Sequence, residues 1–222
     1  MSGAGPTRTA GAAHGGSRNL IGVLISGRGS NLMAILDRIA AGDLDARVAI
    51  VISNEPDAAG IAAAASRGIE TRVIDHRASP SREEHERLVT QSLEAAKVGL
   101  VCLAGYMRRL SPWFVARFRG RIMNIHPALL PAFPGLDVQR QAIEAGARVS
   151  GCTVHFVDDG VDTGPIIAQR AVPILDADTP ATLAARILVE EHRLYSRAIA
   201  LFFSGRLRIE GRRVLGADEP GD

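Results

Sequence analysis

Two cysteines, Cys102 and Cys152, are too few to scaffold a 222-residue chain with disulfides. Both lie in apolar segments, VGLVCLAG and GCTVHFV, as expected of buried free thiols in a reducing compartment. Aromatic residues are equally scarce at 4%, so the core must be built from Ile, Leu and Val. The 34 alanines raise the apolar fraction but supply little volume. Lysine occurs once, at Lys97, against 25 arginines, a bias that fits GC-rich coding and carries no function. Apolar runs such as GLVCLAGYM fall well short of the ~20 residues a membrane span needs. Residues 1–19 hold no continuous apolar stretch, so no signal peptide is read. Their arginines without acids leave a transit peptide open, but an unstructured Gly/Ala/Ser/Thr tail is the simpler reading, and a cytoplasmic protein is expected.

Charge of one sign is also missing. The net charge of +2 comes from Arg8 and Arg18, and the remainder balances 24 basic against 24 acidic residues. A nucleic-acid binder shows a strong basic excess, so neither nucleic acid nor a membrane is expected as a partner.

What is present is an alternation of short apolar runs and helical periods. Strands are predicted over Asn19–Ser26, Arg47–Ser53, Thr71–Ile74, Val98–Ala104 and Arg121–His126. Between them, Leu32, Ile35, Leu36 and Ile39 recur at helical spacing up to Gly42. Ala58–Arg67 and Ser81–Lys97 also read as helices, the latter opening on a Ser81–Glu84 capping box. The pattern implies an α/β fold with a mostly parallel, doubly wound sheet. Ser150–Val157 and Pro165–Pro173 are separated by too little chain for a helical crossover, which predicts an antiparallel addition at the sheet edge. A long amphipathic helix, Thr179–Phe203, then precedes a hairpin of Leu207–Glu210 and Arg212–Leu215 around Gly211. One domain is expected over 20–216, between tails at 1–19 and 217–222.

Three segments carry chemistry. The first strand runs through Gly27-Arg28-Gly29-Ser30-Asn31 into a helix, presenting backbone N–H groups where an anion binds well. Leu32 stands where a dinucleotide fingerprint needs its third glycine, so a phosphomonoester suits the loop better than a dinucleotide; a ligand-free tight turn remains open. In Arg121–His126, Asn124 and His126 are two residues apart and project from one face at the carboxyl end of a strand, where ligands of open α/β sheets bind. A hydrogen-bonded core histidine with a turn-forming asparagine is the alternative. The loop Asp158-Asp159-Gly160-Val161-Asp162-Thr163-Gly164-Pro165 offers three carboxylates but lacks the ligand pattern of a calcium loop. It reads as a solvated turn, or as the source of an Asp that orients His126 and favours its protonated form.

Taken together, GRGSN, the SRE at Ser81–Glu83, LAGYMRRLSP at Leu103–Pro112, NIHPALLPAFPG at Asn124–Gly135 and GCTVHFVDDGVDTGPI at Gly151–Ile166 resemble the glycinamide ribonucleotide formyltransferase family of purine biosynthesis. The likeness runs from Leu20 to about Phe203. It implies a Rossmann-like fold and formyl transfer from 10-formyltetrahydrofolate, as co-substrate, to the amine of 5-phosphoribosylglycinamide, with no metal. By the same resemblance the catalytic trio is Asn124, His126 and Asp162, and the substrate phosphate and ribonucleotide meet Gly29, Ser30, Asn31 and Glu191. The folate is reached by Arg82, Met107, Arg108, Arg109, Leu110, Asn124, Asp158, Asp159, Gly160 and Val161, in a monomer or homodimer. Asp137, Ser150 and Leu188 depart from residues common in that family and affect fine substrate contacts only. Hydrolases of formyltetrahydrofolate and methionyl-tRNA formyltransferases share the trio but carry a further domain, for which 222 residues leave no room. A non-catalytic phosphate-binding module is the remaining rival.

Overall fold

A computed structural model of the chain describes residues 8–9 and 19–217. Runs of branched apolar residues make the central strands: β2 (Leu20–Ile25), β3 (Arg47–Ser53), β5 (Leu100–Leu103) and β6 (Ile122–His126), with the shorter β4 (Thr71–Val73). Five helices connect or cover them: α1 (Ser30–Ala40), α2 (Ala59–Ala65), α3 (Arg82–Ala95), α4 (Pro112–Arg117) and α5 (Val138–Glu144). The strands β7 (Val149–Phe156) and β8 (Ile166–Pro173) follow, then the long α6 (Pro180–Phe203) and the hairpin β9 (Arg208–Glu210) and β10 (Arg213–Leu215). Arg8–Thr9 forms β1, antiparallel to β9. Of the tails expected at 1–19 and 217–222, residues 1–7, 10–18 and 218–222 lie outside the described residues.

All strands join one sheet in the order β1-β9-β10-β8-β7-β6-β5-β2-β3-β4. From β4 to β6 every pairing is parallel. At β7 the direction reverses, and β8 reverses again, which is the antiparallel addition the short connection demanded. Strand order changes hand between β2 and β5, a switch point at which the loops after the two strands part and leave a crevice. The loop after β2 holds the glycines; the loop after β5 holds Met107–Leu110.

Two apolar layers sandwich the sheet. One gathers Ile21, Val23, Met123, Ile125, Cys152 and Val154 under Leu32 and Ile35 of α1 and Leu194, Tyr195 and Ala198 of α6. The other sets Leu24, Val101, Leu103 and Ile122 against Val89 and Leu93 of α3 and Phe114 and Val115 of α4. Tyr195, fully buried, hydrogen-bonds the carbonyls of Leu103 and Met123 and so ties α6 to β5 and β6.

Predicted boundaries hold to within two residues for most elements. The sequence reading places nothing at α4 or α5, because six or seven residues complete fewer than two turns and show no periodicity. The Ser81 hydroxyl accepts the Glu84 N–H, one arm of the predicted box; a full reciprocal box closes instead around Thr179 and Thr182 at the start of α6.

Candidate active site

Gly29 caps α1 in the left-handed region (φ 74°) and donates no side chain, so the first N–H groups of the helix face outward without a side-chain cap. Alanine would fit poorly there on a second count: a Cβ on Gly29 would lie 3.1 Å from the Cα of Gly60 on α2. Asn31 turns inward at 8% exposure, and its amide donates to Glu191 Oε2 of α6 at 2.7 Å. Its Oδ1 has no partner among the described residues. Burial pushes the Glu191 carboxyl above its ordinary range, opposed by the Asn31 hydrogen bond. Two residues 160 apart in sequence thus meet beside the glycine loop.

The strand alternation of β6 sends Met123 and Ile125 into the α6 layer and Asn124 and His126 to the opposite face. The Asp158–Asp162 loop folds back over that face. Asp162 Oδ2 lies 3.3 Å from His126 Nδ1, and Asp162 Oδ1 lies 3.4 Å from Asn124 Nδ2. The three predicted residues therefore form one cluster. The proline loop after β6 holds it: His126 Nε2 donates to the Phe133 carbonyl at 2.8 Å, and the Gly135 N–H donates to Asp162 Oδ2 at 2.9 Å. Thr153 secures that loop in turn, accepting the Leu130 N–H and donating to the Ala128 carbonyl. Asp162 adopts φ 54°, a conformation Asp tolerates at a cost of about 1 kcal/mol or more. Gly164 lets the loop close, because a Cβ there would sit 1.8 Å from the Phe156 carbonyl oxygen.

Burial alone would raise the Asp162 carboxyl; the His155 ring, the Gly135 N–H and the charge of His126 outweigh it and hold the group below the usual carboxylate range. The His155 Nε2 atom stands 3.7 Å from Asp162 Oδ1, an electrostatic contact longer than a hydrogen bond.

His155 is the residue the sequence reading missed. It pairs directly with Asn124 across β6 and β7, is 2% exposed, and places Nε2 3.3 Å from Asn124 Nδ2. Its Nδ1 donates to the Phe156 carbonyl at 2.8 Å, and its Nε2 faces both Asn124 Nδ2 and Asp162 Oδ1. A signal existed: Thr153 and His155 are polar residues two apart in an apolar strand, the pattern that marked Asn124 and His126.

The other predicted contacts are spread along the crevice. Met107 is 67% exposed, Arg109 is exposed, and Arg108 and Leu110 are half-buried, with Leu110 packed against the α3–α4 layer. Asp158 Oδ1 accepts the Gly160 N–H and the Thr163 hydroxyl, so that oxygen shapes the loop. Asp159, Gly160 and Val161 are exposed at its tip, and Arg82 stands exposed in the first turn of α3. Asp137, in the left-handed region at the start of α5, pairs with Arg140, and Ser150 is buried in β7. A concavity of about 350 Å³ between β8 and α6, lined by Arg170, Glu190, Arg193 and Leu194 among others, shares no residue with the cluster. Cys102 and Cys152 are buried and unpaired, their thiols pushed up to about 12 by burial. Among the described residues no three His, Cys, Asp or Glu side chains are placed to hold a metal, and no helix is long and apolar enough to cross a membrane.

Residues 19–199 match the formyl transferase family. The chain is 53% identical over 193 residues to the trifunctional purine biosynthetic protein adenosine-3 of Drosophila pseudoobscura pseudoobscura, covering 86% of this chain but 14% of that one. It therefore spans about one-seventh of the length of that relative. It is 43% identical over 187 residues to the phosphoribosylglycinamide formyltransferase of Escherichia coli K12, covering 84% of this chain and 88% of that protein. The crystal structure of glycinamide ribonucleotide transformylase 1 from Symbiobacterium toebii superposes with a TM-score of 0.88 at 52% identity, over 93% of this chain and 98% of the other. With the family's match running through the glycine loop, β6 and the Asp162 loop, the chain belongs to the formyl transferase family.

Proposed function

We propose that the protein transfers the formyl group of 10-formyltetrahydrofolate to the primary amine of 5-phosphoribosylglycinamide, giving the N-formyl product and tetrahydrofolate in purine biosynthesis. The observation that carries the reading is the convergence of Asn124, His126 and Asp162 within 3.4 Å, beside a helix N-terminus that no side chain caps. The names of the bacterial relative and of the structural neighbour support formyl transfer to the ribonucleotide. The phosphate rests on the N–H groups around Gly29, Ser30 and Asn31, where donors and helix dipole favour an anion. Glu191, held by Asn31, meets the ribonucleotide next to it. The folate lies along Met107–Leu110 and under the Asp158–Val161 tip, with Arg82 available to an anionic group.

The neutral amine attacks the formyl carbon, forming a C–N bond and a tetrahedral intermediate whose oxygen carries the developing charge. Asn124 Nδ2 and His126 Nδ1 donate to that oxygen; their present contacts, 3.3–3.4 Å long, are loose enough to be shared with it. Each such donor is worth ~3–4 kcal/mol in the transition state. Asp162, ionised in this surrounding, stabilises the His126 imidazolium and moves the proton from the attacking nitrogen towards N10 as the C–N10 bond breaks. No covalent enzyme intermediate is needed, which agrees with both thiols being buried and protonated. Two buried free thiols also support a reducing, cytoplasmic setting.

The test mixes the protein with 10-formyltetrahydrofolate and follows deformylation with and without 5-phosphoribosylglycinamide. Turnover that requires the ribonucleotide is expected. Turnover without it identifies water as the acceptor, and no turnover in either mixture leaves only a phosphate-binding module.

A further inference from the structure

We propose that Ser26 and Glu86 are positioning residues for the folate: they pin the two ends of Met107–Leu110 and so hold that segment in its binding shape before ligand arrives. The proposal rests on the reading above that this segment lines the folate site.

At the first end, the Ser26 hydroxyl accepts the Met107 N–H at 2.8 Å and donates to Asn54 Oδ1 at 2.6 Å. Accepting from one side and donating to the other fixes the hydroxyl in a single orientation. Asn54, 2% exposed after β3, is itself held by Glu55 Oε1 at 3.1 Å. Ser26 also donates its backbone N–H to the Gly105 carbonyl at 3.0 Å, closing the switch-point side of the loop. At the second end, Glu86 of α3 is 2% exposed, and none of the described ion pairs includes it. Its Oε1 accepts the Ser111 N–H at 2.8 Å, and its Oε2 accepts the Ser111 hydroxyl. Desolvating a carboxylate without a cation is costly. The return here is that both polar groups of one residue are fixed. Ser111 then starts α4 by accepting the Phe114 N–H.

Between the anchors, the backbone N–H groups of 108–110 have no protein acceptor among the described residues. A segment of that kind keeps its shape through its ends and the packing of Leu110, and ordering it only on binding would weaken affinity. Neither anchor reaches the cluster of Asn124, His126 and Asp162, so a fault in either should act on folate capture and spare the chemical step.

Steady-state kinetics with both substrates test this on S26A and E86M, which remove the acceptors at little change in volume. Each should raise KM for 10-formyltetrahydrofolate at least fivefold while kcat and KM for the ribonucleotide stay within twofold. S26T restores the first anchor and E86Q, which keeps one acceptor, falls between wild type and E86M. L110A serves as the control on the segment itself. If L110A moves the folate KM and the anchor variants do not, the anchoring proposal fails while the folate reading stands. If L110A too is silent, the folate reading of the segment is wrong and the proposal falls with it. A uniform loss of kcat and of both affinities, or a lower melting temperature with unchanged constants, makes the anchors structural only and overturns the proposal. Should E86M fail to fold, S26A against S26T decides.

Discussion

Replacing Asp162 by asparagine separates charge from shape at the centre of the site. The amide oxygen can take the Oδ2 position, keeping the Gly135 N–H and facing His126 Nδ1, while its NH₂ group takes the Oδ1 position beside His155 Nε2 and Asn124 Nδ2. Shape is thereby kept; the negative charge goes, together with the 3.4 Å contact that Asp162 Oδ1 accepts from Asn124 Nδ2. Between full charges 3.3 Å apart, at an effective dielectric near 20, the His126–Asp162 attraction is about 5 kcal/mol. The amide dipole retains part of this, leaving roughly 4 kcal/mol to be lost where the imidazolium forms. At about 1.4 kcal/mol per decade, kcat should fall ~10³-fold. Both KM values should change less than about threefold, since neither ligand's ground-state contacts are removed. Initial rates of deformylation, with circular dichroism to verify the fold, measure this directly. A D162N enzyme with kcat within tenfold of wild type would refute the proton-handling role.

Glu191→Gln should trade binding for stability: burial holds the folded carboxyl above its ordinary value of 4.5, so the ionised group costs stability as pH rises through the folded pKa. At pH 7 the melting temperature of E191Q should equal or exceed wild type, while KM for the ribonucleotide rises about tenfold. Asp162 has the opposite sign. Its folded pKa lies below the ordinary 3.8, so it stabilises the protein above that value and the contribution disappears as pH falls through the folded pKa. Urea midpoints of wild type and D162N should therefore differ near pH 7, and the gap should close as pH falls below the ordinary 3.8; a constant gap would show that the carboxylate is not depressed. Cys102 and Cys152, with thiols at about 12, should resist iodoacetamide at pH 8 until denaturant is added, as mass spectrometry of the intact chain can report.

What could be read from sequence, and what could not, divides along the reach of each physical signal. Apolar runs and helical spacing are local, and they place β2, β3, β5, β6, α1, α3 and α6 correctly. The short α4 and α5 carry too few residues for a period, although Ser111 before Pro112 offered a capping signal. Alternation within one strand found Asn124 and His126, because two residues apart is a local fact. His155 belongs to the same cluster only through the β6–β7 register, which no property of either strand states alone. The Asn31–Glu191 bond and the Glu86–Ser111 anchor are likewise products of tertiary packing.

The same limit explains why alternation by itself cannot distinguish a site from a surface. A strand with Met123 and Ile125 on one face and Asn124 and His126 on the other has the pattern of an ordinary half-solvated strand. Here the second face is largely closed to solvent: His126 is 4% exposed, His155 is buried beside it and Asn124 is half-buried. Helices α3 and α4 cover that face over β2, β3, β5 and the start of β6 at Ile122, whereas over the end of β6 and over β7 the proline loop and the Asp162 loop cover it instead. Loops supply backbone carbonyls and N–H groups that helices keep for themselves, and those groups satisfy His126 and Asp162. Polar residues can thus be buried at β6 because the helical cover ends there. The exchange of helix for loop along one sheet face, more than any single motif, is what turns an alternating strand into a place for chemistry.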